Sequence, residues 1–132
     1  MNSNNEGIKG FIILMDDDES IREIAKEIIN AIGYDVITAT NGEELITLYK
    51  DAISKNIKVT AVILDLTVPG GMGGKEAIKK LIEIDPNVYG IVSSGYSNDP
   101  IMSHYKVYGF KDVIVKPYRI EEMEDVLTKA NK

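Results

Sequence analysis

The chain has 132 residues, enough to bury one sizeable core and too few for a second full-sized domain. Its formal net charge of −6, without any dense basic tract, argues against nonspecific nucleic-acid binding, which relies on clustered Lys and Arg. The absence of cysteine excludes disulfides and thiolate metal sites and fits the cytoplasm, our expected location. No apolar run approaches the roughly 20 residues of a membrane span.

The first nine residues are polar, and we expect them to be a disordered lead-in to one domain over residues 10–132. The apolar run at residues 11–15 lacks polar alternation, which predicts a strand covered on both faces. A helix follows. Ser20 and Glu23 match a capping box near its start, and Gly33 can end it. The apolar stripe of this helix consists of Ile21, Ile24, Ala25, Ile28, Ile29 and Ile32.

The same alternation continues to the end of the chain. Short apolar runs predict four more strands, at residues 36–37, 61–64, 90–93 and 113–115. Helical periodicity follows each of them, with start or stop signals at Asn41, Pro86, Asp99, Gly109 and Arg119. Five strands alternating with five helices predict an α/β fold, an open, doubly wound parallel sheet.

Chemically suggestive residues stand where these strands end. Asp16 and Asp17 follow the first strand, Asp65 the third, Ser94 the fourth and Lys116 the fifth. The carboxyl ends of parallel strands meet at one edge of such a sheet, so these side chains are predicted to converge. Clustered carboxylates favour a cation such as Mg²⁺, and a carboxylate can itself become an aspartyl-phosphate.

Each feature has a simpler interpretation when it is taken alone. Asp18 and Glu19 are better explained as acidic residues at a helix N-terminus. An aspartate at a strand end is often only a cap, and Lys116-Pro117 is often only a turn. The glycine pairs between residues 70 and 74 are interpreted as a loop that needs positive φ, because no Walker lysine follows them.

The sequence resembles the receiver domain of two-component response regulators over residues 11–130. Four segments carry the resemblance: residues 13–17, residues 65–74, Ser94-Gly95 and residues 116–118. The resemblance implies a (βα)₅, flavodoxin-like sheet with strand order 2-1-3-4-5. It also implies phosphoryl transfer from a sensor histidine kinase or histidine phosphotransfer domain, which switches contacts with a downstream protein.

The resemblance further implies a role for each matching residue. Asp65 is the expected phosphoacceptor. Mg²⁺ is expected on Asp16, Asp17, Asp65 and the backbone carbonyl of Thr67, although only one of the first two aspartates need touch the metal directly. Ser94 is the expected switch hydroxyl. Lys116 is the expected phosphoryl-binding lysine, and its bond to Pro117 is expected to be cis. The loop after Asp65 resembles in particular the receiver modules of hybrid histidine kinases.

Two features depart from the family pattern. The loop from Pro69 to Gly74 is one residue longer than the commonest version and lacks its usual acidic residue. Three residues before Lys116, the family often has Tyr or Phe, where this sequence has Val113. Phosphorylation is unaffected by this departure, but the usual partner of the Ser94 switch is missing.

Two other functions remain open on the sequence. Haloacid-dehalogenase enzymes also use a strand-end aspartate with Mg²⁺, but they need a longer chain and place their other acids after the nucleophile. A pseudo-receiver would use the same fold for binding alone, although all expected site residues are present here. Turnover of a phosphomonoester would indicate the first function, and failure to accept phosphoryl would indicate the second.

Overall fold

The five strands and five α-helices expected from the sequence are present in a computed structural model that describes residues 8–96 and 98–132. The strands β1 to β5 are Phe11–Met15, Asp35–Ala39, Ala61–Asp65, Gly90–Ser94 and Asp112–Val115. The helices α1 to α5 are Glu19–Ile32, Gly42–Ser54, Gly74–Ile84, Pro100–Ser103 and Ile120–Ala130, with a 3₁₀ turn at Tyr105–Tyr108. Residues 1–7 of the expected lead-in lie outside the described residues.

The strands form one parallel sheet in the order β2-β1-β3-β4-β5, which confirms the predicted topology. Alternate side chains of β1 and β3 enter two separate apolar layers. Ile13 and Val62 belong to one layer, and Ile12 and Ile63 belong to the other. Burial on both faces explains why these strands are apolar throughout rather than alternating. No helix among the described residues combines the length and apolar character needed to cross a membrane.

The start of α1 differs from the prediction. Asp18, and not Ser20, is the N-cap, and its side chain accepts from the backbone N–H groups of Ser20 and Ile21. Ser20 lies in the first turn, and its hydroxyl donates to Asp18 Oδ1 at 2.7 Å. An ionised carboxylate is a stronger acceptor than a hydroxyl, which favours Asp18 as the cap. Ile24 is also 51% exposed, so the buried stripe is narrower than predicted.

The other predicted helix signals are confirmed. Asn41 caps α2 by accepting from the backbone N–H of Glu44 at 2.9 Å. Asp99 caps α4, with Pro100 in its first turn. Gly33 and Gly109 end their helical segments in the left-handed conformation, with φ of 117° and 102°. Gly33 thus ends α1 just before β2, and Gly109 ends the 3₁₀ turn just before β5.

Candidate functional site

The carboxyl ends of β1, β3, β4 and β5 meet at a cleft of about 260 Å³. All the side chains singled out at the strand ends line this cleft, namely Asp16, Asp17, Asp65, Ser94 and Lys116, and Thr67 lines it as well. The predicted convergence is therefore what the structure has. It follows from parallel strands, because each strand contributes the residues that follow it to the same edge.

Asp65 ends the central strand β3 and is only 5% exposed. Burial disfavours its charged form and raises the pKa of Asp65 to about 6. The hydrogen bond from Lys116 opposes this increase, and the nearby charge of Asp16 adds to it. At neutral pH Asp65 is therefore ionised, but at a cost that a bound cation would reduce.

Lys116 bridges the two buried carboxylates. Its Nζ donates to Asp16 Oδ2 at 2.9 Å and to Asp65 Oδ1 at 3.0 Å. Its backbone N–H donates to the carbonyl of Ser94 at 2.9 Å, and the bond to Pro117 is cis, as expected. Burial lowers the pKa of Lys116, but the bonds to Asp16 and Asp65 outweigh it, and the net pKa is raised. The ammonium therefore stays charged.

Asp16 and Asp17 have different surroundings. Asp16 is 1% exposed, and both its carboxylate oxygens are occupied, Oδ1 by the backbone N–H of Asp18 at 2.9 Å and Oδ2 by Lys116. Asp17 is exposed, and no described residue donates to its carboxylate. Arg22 Nη1 donates to the carbonyl oxygen of Asp16 at 2.8 Å and holds this part of the backbone. Asp17 thus has the more available oxygens.

The three carboxylates together fit a cation. Asp16, Asp17 and Asp65 each present an oxygen, and these oxygens lie within 4.8 Å of one another. Thr67 lines the same cleft, and its carbonyl accepts no hydrogen bond from the described residues. Oxygen donors of this kind are typical ligands of hard divalent cations. The chemistry of the donor set therefore agrees with the Mg²⁺ site expected from the sequence.

Ser94 is buried at the end of β4 and is already oriented. Its Oγ accepts from the backbone N–H of Tyr96 at 3.0 Å. A hydroxyl that accepts one bond still has its own proton to donate. The Ser94 O–H is therefore available to an anionic group in the cleft.

The glycine-rich loop before α3 contains glycine mainly because a Cβ would not fit there, and less because the backbone has positive φ. Of its four glycines only Gly70 has a positive φ, of 73°. A Cβ on Gly74 would come within 2.8 Å of the carbonyl oxygen of Asp65, and one on Gly73 within 2.6 Å of that of Leu66. The interpretation from sequence is thus wrong for Gly71, Gly73 and Gly74, since close approach of α3 to β3 explains the last two.

Sequence reasoning missed two contacts beside the site. One is the hydrogen bond from Arg22 to the Asp16 carbonyl. The only sign of it in the sequence is that Arg22 lies in the first turns of α1, close to Asp16. The other is a buried hydrogen bond of 2.6 Å between the hydroxyls of Ser93 and Tyr118.

An apolar cavity of about 460 Å³ also adjoins the cleft, with Ile24 and Tyr96 exposed at its edge.

Comparison with known proteins agrees with this geometry. The family model described as "Response regulator receiver domain" matches residues 12–128. The chemotaxis protein CheY of Thermotoga maritima is 35% identical over 122 residues, which cover 92% of this chain and 97% of the relative. Sporulation initiation phosphotransferase F of Bacillus subtilis is 30% identical, with 89% of this chain and 90% of the relative covered.

Solved structures show the same fold. A chain of the CheX–CheY–BeF₃–Mg²⁺ complex from Borrelia burgdorferi matches with a TM-score of 0.82 and 25% identity, covering 95% of this chain and 91% of that one. The Thermotoga maritima response regulator TrrA, solved with Mg²⁺ and BeF, matches with a TM-score of 0.77 and 26% identity, covering 92% and 98%. With the family model and the relatives, these matches establish that the chain belongs to the response regulator receiver domains, the phosphoacceptor modules of two-component phosphorelays.

Proposed function

We propose that Asp65 is the residue that accepts the phosphoryl group in this domain. The observation that carries the proposal is the position of Asp65, a buried carboxylate at the end of the central strand that is held 3.0 Å from Lys116 Nζ. No other aspartate of the cleft combines a strand-end position on β3 with the lysine contact. The donor is a sensor histidine kinase or a histidine phosphotransfer domain, and phosphorylation switches contacts with a downstream protein.

The chemistry of the step follows from the groups in the cleft. An Asp65 oxygen attacks phosphorus and the new O–P bond forms while the P–N bond of the donor phosphohistidine breaks. The imidazole leaves as a neutral group, because its other ring nitrogen already carries a proton. Lys116 can turn from the carboxylates to the phosphoryl oxygens, and the Ser94 O–H can donate to one of them. Bound to Asp16, Asp17, Asp65 and the Thr67 carbonyl, Mg²⁺ would neutralise charge that develops on the phosphoryl group.

The domain is therefore proposed to catalyse only its own phosphorylation and the slow hydrolysis of the product, with no external substrate turned over. Membership of the receiver family argues against the dehalogenase-type alternative. The convergence of all the expected residues argues against a pseudo-receiver. Because the cytoplasmic parts of sensor kinases supply the phosphoryl group in the family resembled, we also propose that the domain acts in the cytoplasm.

Incubation with acetyl phosphate and Mg²⁺ tests the proposed chemistry. We expect one phosphoryl group per chain, detected by intact-mass spectrometry, and labile to both acid and base because it is an acyl phosphate. EDTA should prevent its formation. A stable adduct that survives acid, or equal labelling with EDTA, would contradict the proposal.

A second prediction concerns the switch. Val113 lies on β5 next to Val92 of β4, and it has no ring that could follow the Ser94 hydroxyl. The response to phosphorylation should therefore concentrate in the loops after β3 and β4, with smaller changes on α4, β5 and α5. Comparison of amide NMR shifts with and without Mg²⁺–beryllofluoride would measure this. Shifts along residues 105–113 as large as those around Asp65 and Ser94 would show that the missing aromatic does not matter.

A further inference from the structure

The turn between β5 and α5 carries Lys116 but has few bonds of its own. The last hydrogen bond of β5 is the one from Lys116 N–H to the Ser94 carbonyl. Beyond it, Pro117 has no N–H, and neither Pro117 nor Tyr118 makes a backbone hydrogen bond to any described residue before α5 begins at Ile120. The backbone alone therefore leaves the segment after Lys116 weakly held.

The side chain of Tyr118 provides what the backbone lacks. Its hydroxyl lies 2.6 Å from Ser93 Oγ, and the two residues are 8% and 0% exposed. The ring belongs to the apolar layer that also contains Ile114 and Met123. A hydrogen bond buried among apolar groups is costly to break, because neither hydroxyl can turn to water instead.

Ser93 is also the residue of β4 that lies directly beside the proposed phosphoacceptor. It pairs with Asp65 across the β3–β4 ladder, and its carbonyl accepts from the N–H of Leu66 at 2.9 Å. The Tyr118–Ser93 bond therefore joins the turn that carries Lys116 to the backbone next to Asp65. Lys116 precedes Tyr118 by two residues, with only Pro117 between them.

We infer that Tyr118 and Ser93 are positioning residues for phosphorylation, whose buried hydrogen bond fixes the turn so that Lys116 is aimed at the Asp65 side of the cleft. The inference rests on the proposed role of Asp65. Neither hydroxyl lines the cation cluster, so the pair acts through Lys116 and not on the cation. Small misplacements of a reacting group are known to reduce rates strongly, since catalysis depends on orientation.

The experiment compares Tyr118→Phe, Ser93→Ala and the double variant, each of which removes one or two oxygen atoms and adds none. Phosphorylation by acetyl phosphate is followed over a range of Mg²⁺ concentrations. We expect each single variant to lower the rate constant at saturating Mg²⁺ by about five- to tenfold, with the half-saturating Mg²⁺ concentration within about twofold of the wild-type value. The double variant should lose no more than the single variants, because all three lack the same bond.

Tyr34→Phe is the matched control. The Tyr34 hydroxyl also makes a buried hydrogen bond, to the Leu127 carbonyl at 3.3 Å, in the same apolar layer. Tyr34 directly precedes β2, at the amino end of the strands, and does not line the cleft. Tyr34→Phe should lower the stability of the fold without changing the rate of phosphorylation. Circular dichroism at the assay temperature confirms that each variant is folded, and either single variant suffices if the other does not fold.

The outcomes separate the inference from the proposed function. Rates within about twofold of wild type in all folded variants, or an equal loss in Tyr34→Phe, would overturn the positioning role while leaving Asp65 as the acceptor. A loss seen only as weaker Mg²⁺ binding would also overturn it. Labelling that is absent from the wild-type protein would instead contradict the proposed function itself.

Discussion

Asp65→Asn should abolish phosphorylation by acetyl phosphate, with a fall in labelling of about 100-fold or more, because an amide oxygen is a poor nucleophile and carries no charge. The substitution retains the size of the side chain and an oxygen that can accept from Lys116 Nζ, which lies 3.0 Å from Asp65 Oδ1 in the wild-type chain. The loss would therefore report chemistry and not a collapsed cleft. Intact-mass spectrometry after a fixed incubation measures it.

Asp35→Asn provides the control for this substitution. Asp35 is exposed at the amino end of β2, the end of the sheet opposite the cleft. The same chemical change there should leave labelling unchanged. Full labelling of Asp65→Asn, with the phosphoryl group found on another aspartate or on Ser94, would mean that Asp65 is not the acceptor.

Asp65→Asn should also make the metal-free protein more stable than the wild-type protein at neutral pH. The pKa of Asp65 is raised from 3.8 to about 6 in the folded chain, mainly by burial. Between these two values the folded state binds more protons than the unfolded state, so stability decreases as the pH rises. Above pH 6 the full cost of an ionised Asp65 is present, at most about 3 kcal/mol for a shift of this size. Asparagine does not incur this cost.

Urea unfolding in EDTA at several pH values measures the difference. We expect Asp65→Asn to exceed the wild-type free energy of unfolding by about 2–3 kcal/mol at pH 7.5, with the difference shrinking towards pH 4. Asp35→Asn, which changes an exposed side chain, should follow the wild-type curve. A difference that is absent at pH 7.5, or that grows as the pH falls, would contradict the account of Asp65 as a carboxylate destabilised by its surroundings.

The sheet was predictable because its central strands are uninterrupted apolar runs in the sequence. Residues 11–15 and 61–64 are apolar without interruption, which only a strand buried on both faces requires. Once the strands were placed, parallel topology alone brought Asp16, Asp65 and Lys116 to one edge. The cleft was therefore predictable from where strands end, without knowledge of any side-chain contact.

The details that escaped prediction depend on distances between side chains. Asp18 and Ser20 are both good N-caps, and the choice depends on where the chain leaves β1. Ser93 and Tyr118 are 25 residues apart, and a serine in a strand gives no sign of its partner. Asp16 and Asp17 look equivalent in sequence, yet only the first has both oxygens occupied. No periodicity encodes these differences.

The ion pairs of Lys116 with Asp16 and Asp65 also determine which charge of bound cation the cleft favours. When ionised, the three clustered aspartates carry three negative charges, and the ammonium of Lys116 cancels one of them. A sodium or potassium ion would cancel only half of the net charge left on these four groups, whereas one divalent ion would bring it to zero. Discrimination against the far more abundant monovalent ions is thus built into the charge count, in addition to any fit of size or geometry.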